Sequence, residues 1–217
     1  MNNFRFLSKS KNYSFILWVL IASIIVFLFF SIEYLTNGFF INWDGLVNLF
    51  IPNIQNSFFV SLACYIAILF DVVASTLYFF VIILILWIRK LRKDAVFVFV
   101  AFLLDGVSIY LFKNIFRRLR PENMLANETS FSFPSGHSVN SVVLFGVVIY
   151  LSWKYLKSKV AKITITIISV LMILIIGFSR VYLNVHWLSD VLSGYFLGII
   201  ILCISFLVLF LIDKNRN

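Results

Sequence analysis

The stretch ITITIISVLMILIIGFSRVYLNVHWLSD, residues 163–190, decides the fold. Residues 163–182 form an apolar run long enough to cross a bilayer core, which takes about 20 residues. Residues 179–190 then collect Arg180, Asn184, His186, Ser189 and Asp190 in one dense polar cluster. The chain has only one other histidine, His137, inside FPSGHS at 133–138. A third polar cluster, KNIFRRLRP at 113–121, adds Lys113, Arg117, Arg118 and Arg120. Two imidazoles, a carboxylate and several fixed cations make a kit for handling a phosphate at neutral pH.

The composition around these clusters excludes an ordinary soluble domain. Of 217 residues, 62% are hydrophobic and only 12% are charged, against a charged share of roughly a quarter in globular proteins. No repeat, linker or composition shift divides the chain, so it reads as one all-α membrane-embedded domain over 1–217, with a motif-bearing core at 95–212. Cys64 and Cys203 lie in apolar runs without CxxC spacing, which argues for small buried or lipid-facing side chains rather than a disulfide or a metal site. The net charge of +9 does not imply nucleic acid, because the cations form no single patch and most flank apolar runs.

Six apolar runs are visible, at approximately 13–35, 67–88, 95–113, 136–153, 163–182 and 187–212. The first follows a basic stretch but is too long for the core of a secretory signal and no cleavage pattern follows it, so it is expected to be a retained span. Segment 40–58 mixes Trp43, Phe50 and Phe58 with Asp44, Asn48 and Gln55. That mixture is too polar to span and predicts an interfacial helix or helix pair. Thirteen of the 18 Lys and Arg residues, including Arg5, Lys9, Lys11, Lys214 and Arg216, fall before, between or after the runs on one side. The positive-inside rule makes that side cytoplasmic, with both termini there. The remaining five, Lys113, Arg117, Arg118, Arg120 and Arg180, all belong to the clusters. Span parity puts the three clusters together at the outer membrane level, by an argument that uses none of the motifs.

The chemistry of each cluster follows from its residue types. Pro134-Ser135-Gly136-His137 opens the fourth run, where a helix start offers free backbone N–H groups and the positive dipole end to an oxyanion. Gly136 permits close approach and Ser135 adds a hydroxyl donor; the alternative is a plain turn into a helix with His137 facing water. His186 and Asp190, four apart, would share a helix face, so that the carboxylate fixes which imidazole nitrogen stays free. The alternative there is an interfacial histidine with a helix-stabilising partner. Arg180 lies six residues earlier, where a turn would bring its guanidinium over the imidazole. Four cations on the outer side run against topology and point to an anionic ligand, with arginine forks matched to phosphate oxygens. Asp105, two turns before Lys113, and Asp71, near the outer edge of the second run, are assigned structural hydrogen-bonding roles in preference to catalysis.

Taken together, KxxxxxxRP at 113–121, PSGH at 134–137 and SRxxxxxHxxxD at 179–190 resemble the three-part signature of the type 2 phosphatidic acid phosphatase superfamily in order, spacing and residue type. The resemblance implies a six-span helical bundle, shared in its core with vanadium haloperoxidases and bacterial acid phosphatases, that works without a metal or other cofactor. It implies that His186 takes the phosphoryl group, Asp190 orients it and His137 is the general acid. Lys113, Arg120, Ser135, Gly136 and Arg180 would cradle the phosphate, leaving Arg117 and Arg118 for a second phosphate or lipid headgroups. With a histidine pKa near 6.5, a bell-shaped pH profile is expected. The expected substrate is a lipid phosphate or diphosphate at the outer face: undecaprenyl diphosphate, phosphatidylglycerol phosphate or phosphatidic acid. A phosphotransferase using the same histidine, or a non-catalytic lipid-binding or transport protein, is the alternative.

Overall fold

The computed structural model describes residues 10–214, with side chains from 13 to 212. Arg5, Lys9 and Arg216 lie outside the described residues, as do the side chains of Lys11 and Lys214. Eight α-helices are described: α1 Ser10–Thr36, α2 Phe39–Phe50, α3 Ser57–Leu69, α4 Val72–Ile88, α5 Arg92–Phe116, α6 Gly136–Tyr155, α7 Lys159–Tyr182 and α8 Leu188–Lys214. Within them, α1, α5, α6, α7 and α8 are each long and apolar enough to cross a membrane. Helices α3 and α4, bent by 46° at a short break, meet the same criterion only as a pair, for up to six crossings in all when the pair counts as one broken span. The chain is a multi-pass all-helical membrane protein, and its exposed Ile, Leu, Phe and Trp side chains are those a bilayer would solvate.

The second crossing differs from the apolar run at 67–88. It begins at Ser57, because the Asn56 side chain accepts the Phe59 N–H at 3.0 Å and caps α3. An Asn immediately before an apolar helix is a start signal, hidden here by the polar residues that precede it. Asp71 lies at the break within this crossing rather than near its outer edge. Its carboxylate accepts the Ala74 N–H at 2.7 Å and caps α4, so the acid restarts a helix that α3 has ended. The segment before it, α2 and a short 3-10 turn at Ile51–Ile54, is fastened to the end of α7. Gln55 donates to the Tyr182 carbonyl at 2.6 Å, and the Tyr182 hydroxyl donates to the Ile54 carbonyl at 3.1 Å. Cys64 and Cys203 are both free thiols.

Helix α8 packs against α1, α5 and α6 and makes the centre of the bundle. Gly194 and Gly198, one turn apart, let it lie directly on α6. A methyl group added at Gly198 would sit 2.6 Å from Val142 Cβ and 2.9 Å from the Val139 carbonyl oxygen. One added at Gly194 would sit 2.8 Å from the Ser135 carbonyl oxygen. Such small-residue seams let backbones approach where lipid supplies no hydrophobic drive between helices. At one end of the bundle stand the end of α5, the start of α6, the end of α7 and the start of α8, which together carry the three polar clusters. Arg89, Arg92, Lys154 and Lys159 mark helix ends at the opposite side. Replacing Gly198→Val is expected to force α6 and α8 apart at a cost of about 1–3 kcal/mol, read as a lowered thermal midpoint of the detergent-solubilised protein.

Candidate functional site

The loop between α7 and α8 turns back on itself. Val185 and His186 donate their N–H groups to the Arg180 carbonyl at 3.1 and 3.3 Å, and Asn184 takes a left-handed φ of 52°. His186 therefore precedes α8 and does not share a helix face with Asp190, as the four-residue spacing had implied. The two still meet: His186 Nδ1 is 3.3 Å from Asp190 Oδ2. The same carboxylate oxygen accepts the Trp187 N–H at 3.0 Å. An acid three residues into the helix satisfying the N–H of the cap residue is half of a capping box, so the contact that starts α8 also sets Asp190 beside the ring.

On the other side of the imidazole, Arg120 Nη1 lies 3.2 Å from Nε2. A guanidinium only donates, so Nε2 must accept and the proton sits on Nδ1, facing Asp190. The guanidinium on the ring is thus that of Arg120; Arg180 binds Glu128 through Nη2 at 2.5 Å. Burial first, then the charges of Arg120, Lys113 and Arg180, push the His186 pKa well below 6.5. The ring is neutral at neutral pH, with its Nε2 lone pair turned toward the cations.

The other predicted residues lie at the same end of the bundle. Lys113, in the last turn of α5, donates to Ser130 Oγ at 3.2 Å and to the Phe131 carbonyl. Arg120 also donates to the carbonyls of Val185 and Ser130, each at 2.7 Å. Ser135 precedes α6, its N–H bound to the Asp190 carbonyl at 2.9 Å. Its hydroxyl is fully buried and has no partner in the protein, and Arg180 Nε is likewise buried and unpartnered. Gly136 and His137 open α6, and His137 Nε2 donates to the Ala67 carbonyl at 3.1 Å, close to the break that separates α3 from α4.

The roles of three side chains escaped the sequence reading. Arg118 is buried rather than turned toward lipid headgroups: its guanidinium bridges Asp44 Oδ2 and Asp190 Oδ1, each at 2.7 Å, and also donates to Ser189 Oγ. Burial pulls its pKa down, and Asp190 and Asp44 more than reverse this, leaving it above the ordinary arginine value. Asp44, on α2, accepts the Ser189 N–H at 2.8 Å and so caps α8 from a distant segment. Glu128 joins Arg180 to Arg120, the latter at 3.4 Å. Neither acid sits in a motif, and no local pattern marks them. Arg117 remains exposed, in a left-handed turn at the end of α5. Of Asp71 and Asp105, the first has the structural bond described above, whereas Asp105 Oδ1 is buried without a partner.

Residues 94–213 match the model of the PAP2 superfamily. Phosphatidylglycerophosphatase B of Bacillus subtilis is 39% identical over 111 residues, which are 50% of this chain and 54% of that protein. Undecaprenyl-diphosphatase of Sulfolobus acidocaldarius is 28% identical over 126 residues, 53% of this chain and 55% of the relative. The chain thus spans about half the length of the curated relatives it matches. The crystal structure of a transmembrane PAP2-type phosphatidylglycerolphosphate phosphatase from Bacillus subtilis superposes with a TM-score of 0.74 at 27% identity, covering 90% of this chain and 97% of that one. Aquifex aeolicus LpxE, at 24% identity and a TM-score of 0.59 over 74% of this chain and 92% of its own, shares the fold.

Replacing Arg118→Met leaves the Asp44 and Asp190 carboxylates buried without their cation and is expected to cost about 3–5 kcal/mol. Adding Asp44→Leu to that variant should recover part of the loss, as followed by thermal unfolding in detergent. A double variant no more stable than the single one would show that the loss does not come from the unpaired acids.

Proposed function

The chain belongs to the PAP2 superfamily, and from that premise we propose that it is a lipid phosphatase, hydrolysing a lipid phosphate or diphosphate without a metal through a phosphohistidine. One observation carries the reading. Arg120 lies on the Nε2 side of His186, the charges of Lys113 and Arg180 act on the same ring, and two buried donors, Ser135 Oγ and Arg180 Nε, are satisfied by no protein atom. Buried donors of this kind are costly to leave unpaired, and a phosphate has the oxygens to pair them.

In this mechanism the cations and the N–H groups at the start of α6 hold the peripheral phosphoryl oxygens, where charge spreads during transfer. Nε2 of His186 attacks phosphorus, forming the P–N bond as the bond to the leaving oxygen breaks. Asp190 accepts the Nδ1–H throughout, which steadies the ring and offsets the charge it acquires. His137 keeps its Nε2–H on the Ala67 carbonyl; starting as the imidazolium, it gives its Nδ1 proton to the leaving oxygen and then takes one back at Nδ1 from the water that attacks the phosphohistidine. That water breaks the P–N bond, releases phosphate and restores neutral His186.

The membrane setting supports a lipid substrate. A cavity of about 330 Å³ opens between α3 and α7, lined by Phe59, Leu62, Ala63, Ile66, Phe178 and Tyr182. It gives an apolar tail a place beside the end of α7 that carries Arg180. The cation distribution favours an outer-face site with cytoplasmic termini. Undecaprenyl diphosphate, phosphatidylglycerol phosphate and phosphatidic acid are the substrates to compare, the first two being what the named relatives act on.

Detergent-purified protein should release phosphate from at least one of these lipids with a chelator present. The His186→Ala variant should fall to background, and His137→Ala should lose roughly 10²–10⁴-fold in kcat. Retained turnover in His186→Ala would remove the phosphohistidine from the mechanism. The pH dependence is a separate test. Because the His186 pKa is lowered, its nucleophilic form persists below pH 6.5. The acid limb of kcat/KM set by this residue in the free enzyme is therefore expected below 6.5, displaced to the acid side of an unperturbed histidine. A limb at or above 6.5 assigned to His186 by its variants would contradict this.

A further inference from the structure

We propose that Glu128 is a specificity-determining counter-anion: its carboxylate fills the cleft between Arg120 and Arg180 against singly charged phosphodiester headgroups, and yields to the more highly charged terminal phosphate of a monoester or diphosphate. This rests on the phosphatase reading for the identity of the ligand. Its basis is the set of contacts made by residues 128–131, which lie in the connection between α5 and α6. Glu128 binds Arg180 at 2.5 Å and Arg120 at 3.4 Å. Ser130 accepts from Arg120 Nε through its carbonyl at 2.7 Å, and its hydroxyl accepts from Arg120 Nη2 at 3.1 Å and Lys113 Nζ at 3.2 Å. The Phe131 carbonyl takes a further bond from Lys113. Each cation assigned to the substrate phosphate is therefore held by an oxygen of one short stretch of chain.

Three features mark Glu128 as a competitor for the site rather than part of its scaffold. The connection is fastened on both sides without it: Leu125 donates its N–H to the Leu183 carbonyl at 3.0 Å, and Ser132 binds the Arg118 and Leu119 carbonyls at 2.8 and 3.1 Å. Replacing the Glu128 side chain therefore leaves the bonds that hold the connection in place. Next, the Glu128 side chain is 26% exposed while those of Arg180 and Arg120 are 1% and 6%, so the acid reaches the cations from outside and has a way back out. Finally, its fit is incomplete, since Arg180 Nε and Ser135 Oγ stay unpartnered with the carboxylate in place. A tetrahedral oxyanion with three peripheral oxygens can engage donors that a planar two-oxygen carboxylate leaves over.

The selectivity follows from charge. The surrounding bilayer consists mostly of phosphodiester lipids, each presenting at most one negative charge on its phosphate. Exchanging Glu128 for such a group replaces one unit of charge by another and gains little Coulomb energy. A terminal phosphate carries about −1.5 to −2 near neutral pH. It gains from three cations and from the unpartnered donors what the carboxylate could not.

The test compares wild-type protein with Glu128→Gln, which keeps the shape and removes the charge, and with Glu128→Ala, all as the full chain in mixed micelles. Phosphate release is inhibited with inorganic phosphate in one arm and with phosphatidylglycerol, a phosphodiester, in the other. Both variants are expected to bind inorganic phosphate more tightly, by about tenfold in the inhibition constant, on the scale of one ion pair removed from competition. Phosphatidylglycerol should become a competitive inhibitor of the variants while leaving wild type nearly unaffected. Unchanged or weaker phosphate inhibition, with no new sensitivity to phosphatidylglycerol, would overturn the proposal and make Glu128 a residue that holds the guanidinium groups in place. Calorimetric titration of inorganic phosphate into the same proteins separates the two readings. If wild type releases no phosphate from any lipid, the phosphatase assignment fails, yet the change in phosphate affinity at position 128 still decides the role of the carboxylate. If Glu128→Ala does not fold, Glu128→Gln alone carries the comparison.

Discussion

The bond on which the rest of the structure depends is the double ion pair of Arg118 with Asp44 and Asp190. All three side chains are nearly or fully inaccessible to solvent, at 6%, 1% and 0% exposure. Taking a charge out of water costs several kcal/mol even after relaxation, and only close, fully hydrogen-bonded partners offset it. Here the guanidinium has two carboxylates and the Ser189 hydroxyl, with the ring of Tyr34 4.9 Å away and that of Trp187 5.4 Å away. The arrangement fixes more than its own members. Asp44 caps α8, Asp190 supports both the cap residue and His186, and Arg118 joins α2 to the start of α8. The orientation of one imidazole is thus set by a side chain on a helix far away in sequence.

This arrangement also sorts the cations. The basic residues at 113–120 share one short segment, and their number alone suggests a common purpose. In three dimensions they divide. Arg118 is committed to the buried Asp44 and Asp190 carboxylates, Arg117 remains exposed, and Arg120 lies on the His186 ring with the charges of Lys113 and Arg180 acting on it. A site needs fixed charge that costs no reorganisation when a ligand's charge develops. The committed arginine holds Asp190 and thereby the ring, while the charges of Arg120, Lys113 and Arg180 act on that ring.

What could be read from the sequence was whatever depends on composition or on neighbours close along the chain. Long apolar runs gave the spans, motif spacing singled out His137, His186 and Asp190, and span parity put the clusters at one end of the bundle, where the fold has them. What could not be read depends on contacts between distant residues. Asp44 sits amid polar residues that look like a wet surface, and only its meeting with residue 118, 74 positions away, explains it. Glu128 meets Arg180 across 52 positions. The broken crossing was missed for a different reason: the Asn56 cap was absorbed into a polar stretch, and Asp71 looked like an edge residue because an acid inside a span is rare. The spacing of His186 and Asp190 suggested the right pair through the wrong geometry, since a tight turn joins them where a helix was expected.

The cap that Asp44 places on α8 separates two ways of drawing the protein's boundaries. The residues that carry the family likeness begin at 94, well after Asp44, and a line drawn there looks like a natural unit. A chain cut at that line would lose the α2 acid and leave Arg118 with one carboxylate and the Ser189 N–H with no acceptor. It would also lose two α1 rings that pack on Phe133 just ahead of the PSGH motif, Tyr34 stacked and Phe27 tilted. The smallest piece recognisable by descent is therefore smaller than the smallest piece able to hold its own histidine in register, and grafting the core onto another membrane scaffold would require that scaffold to bring an acid of its own.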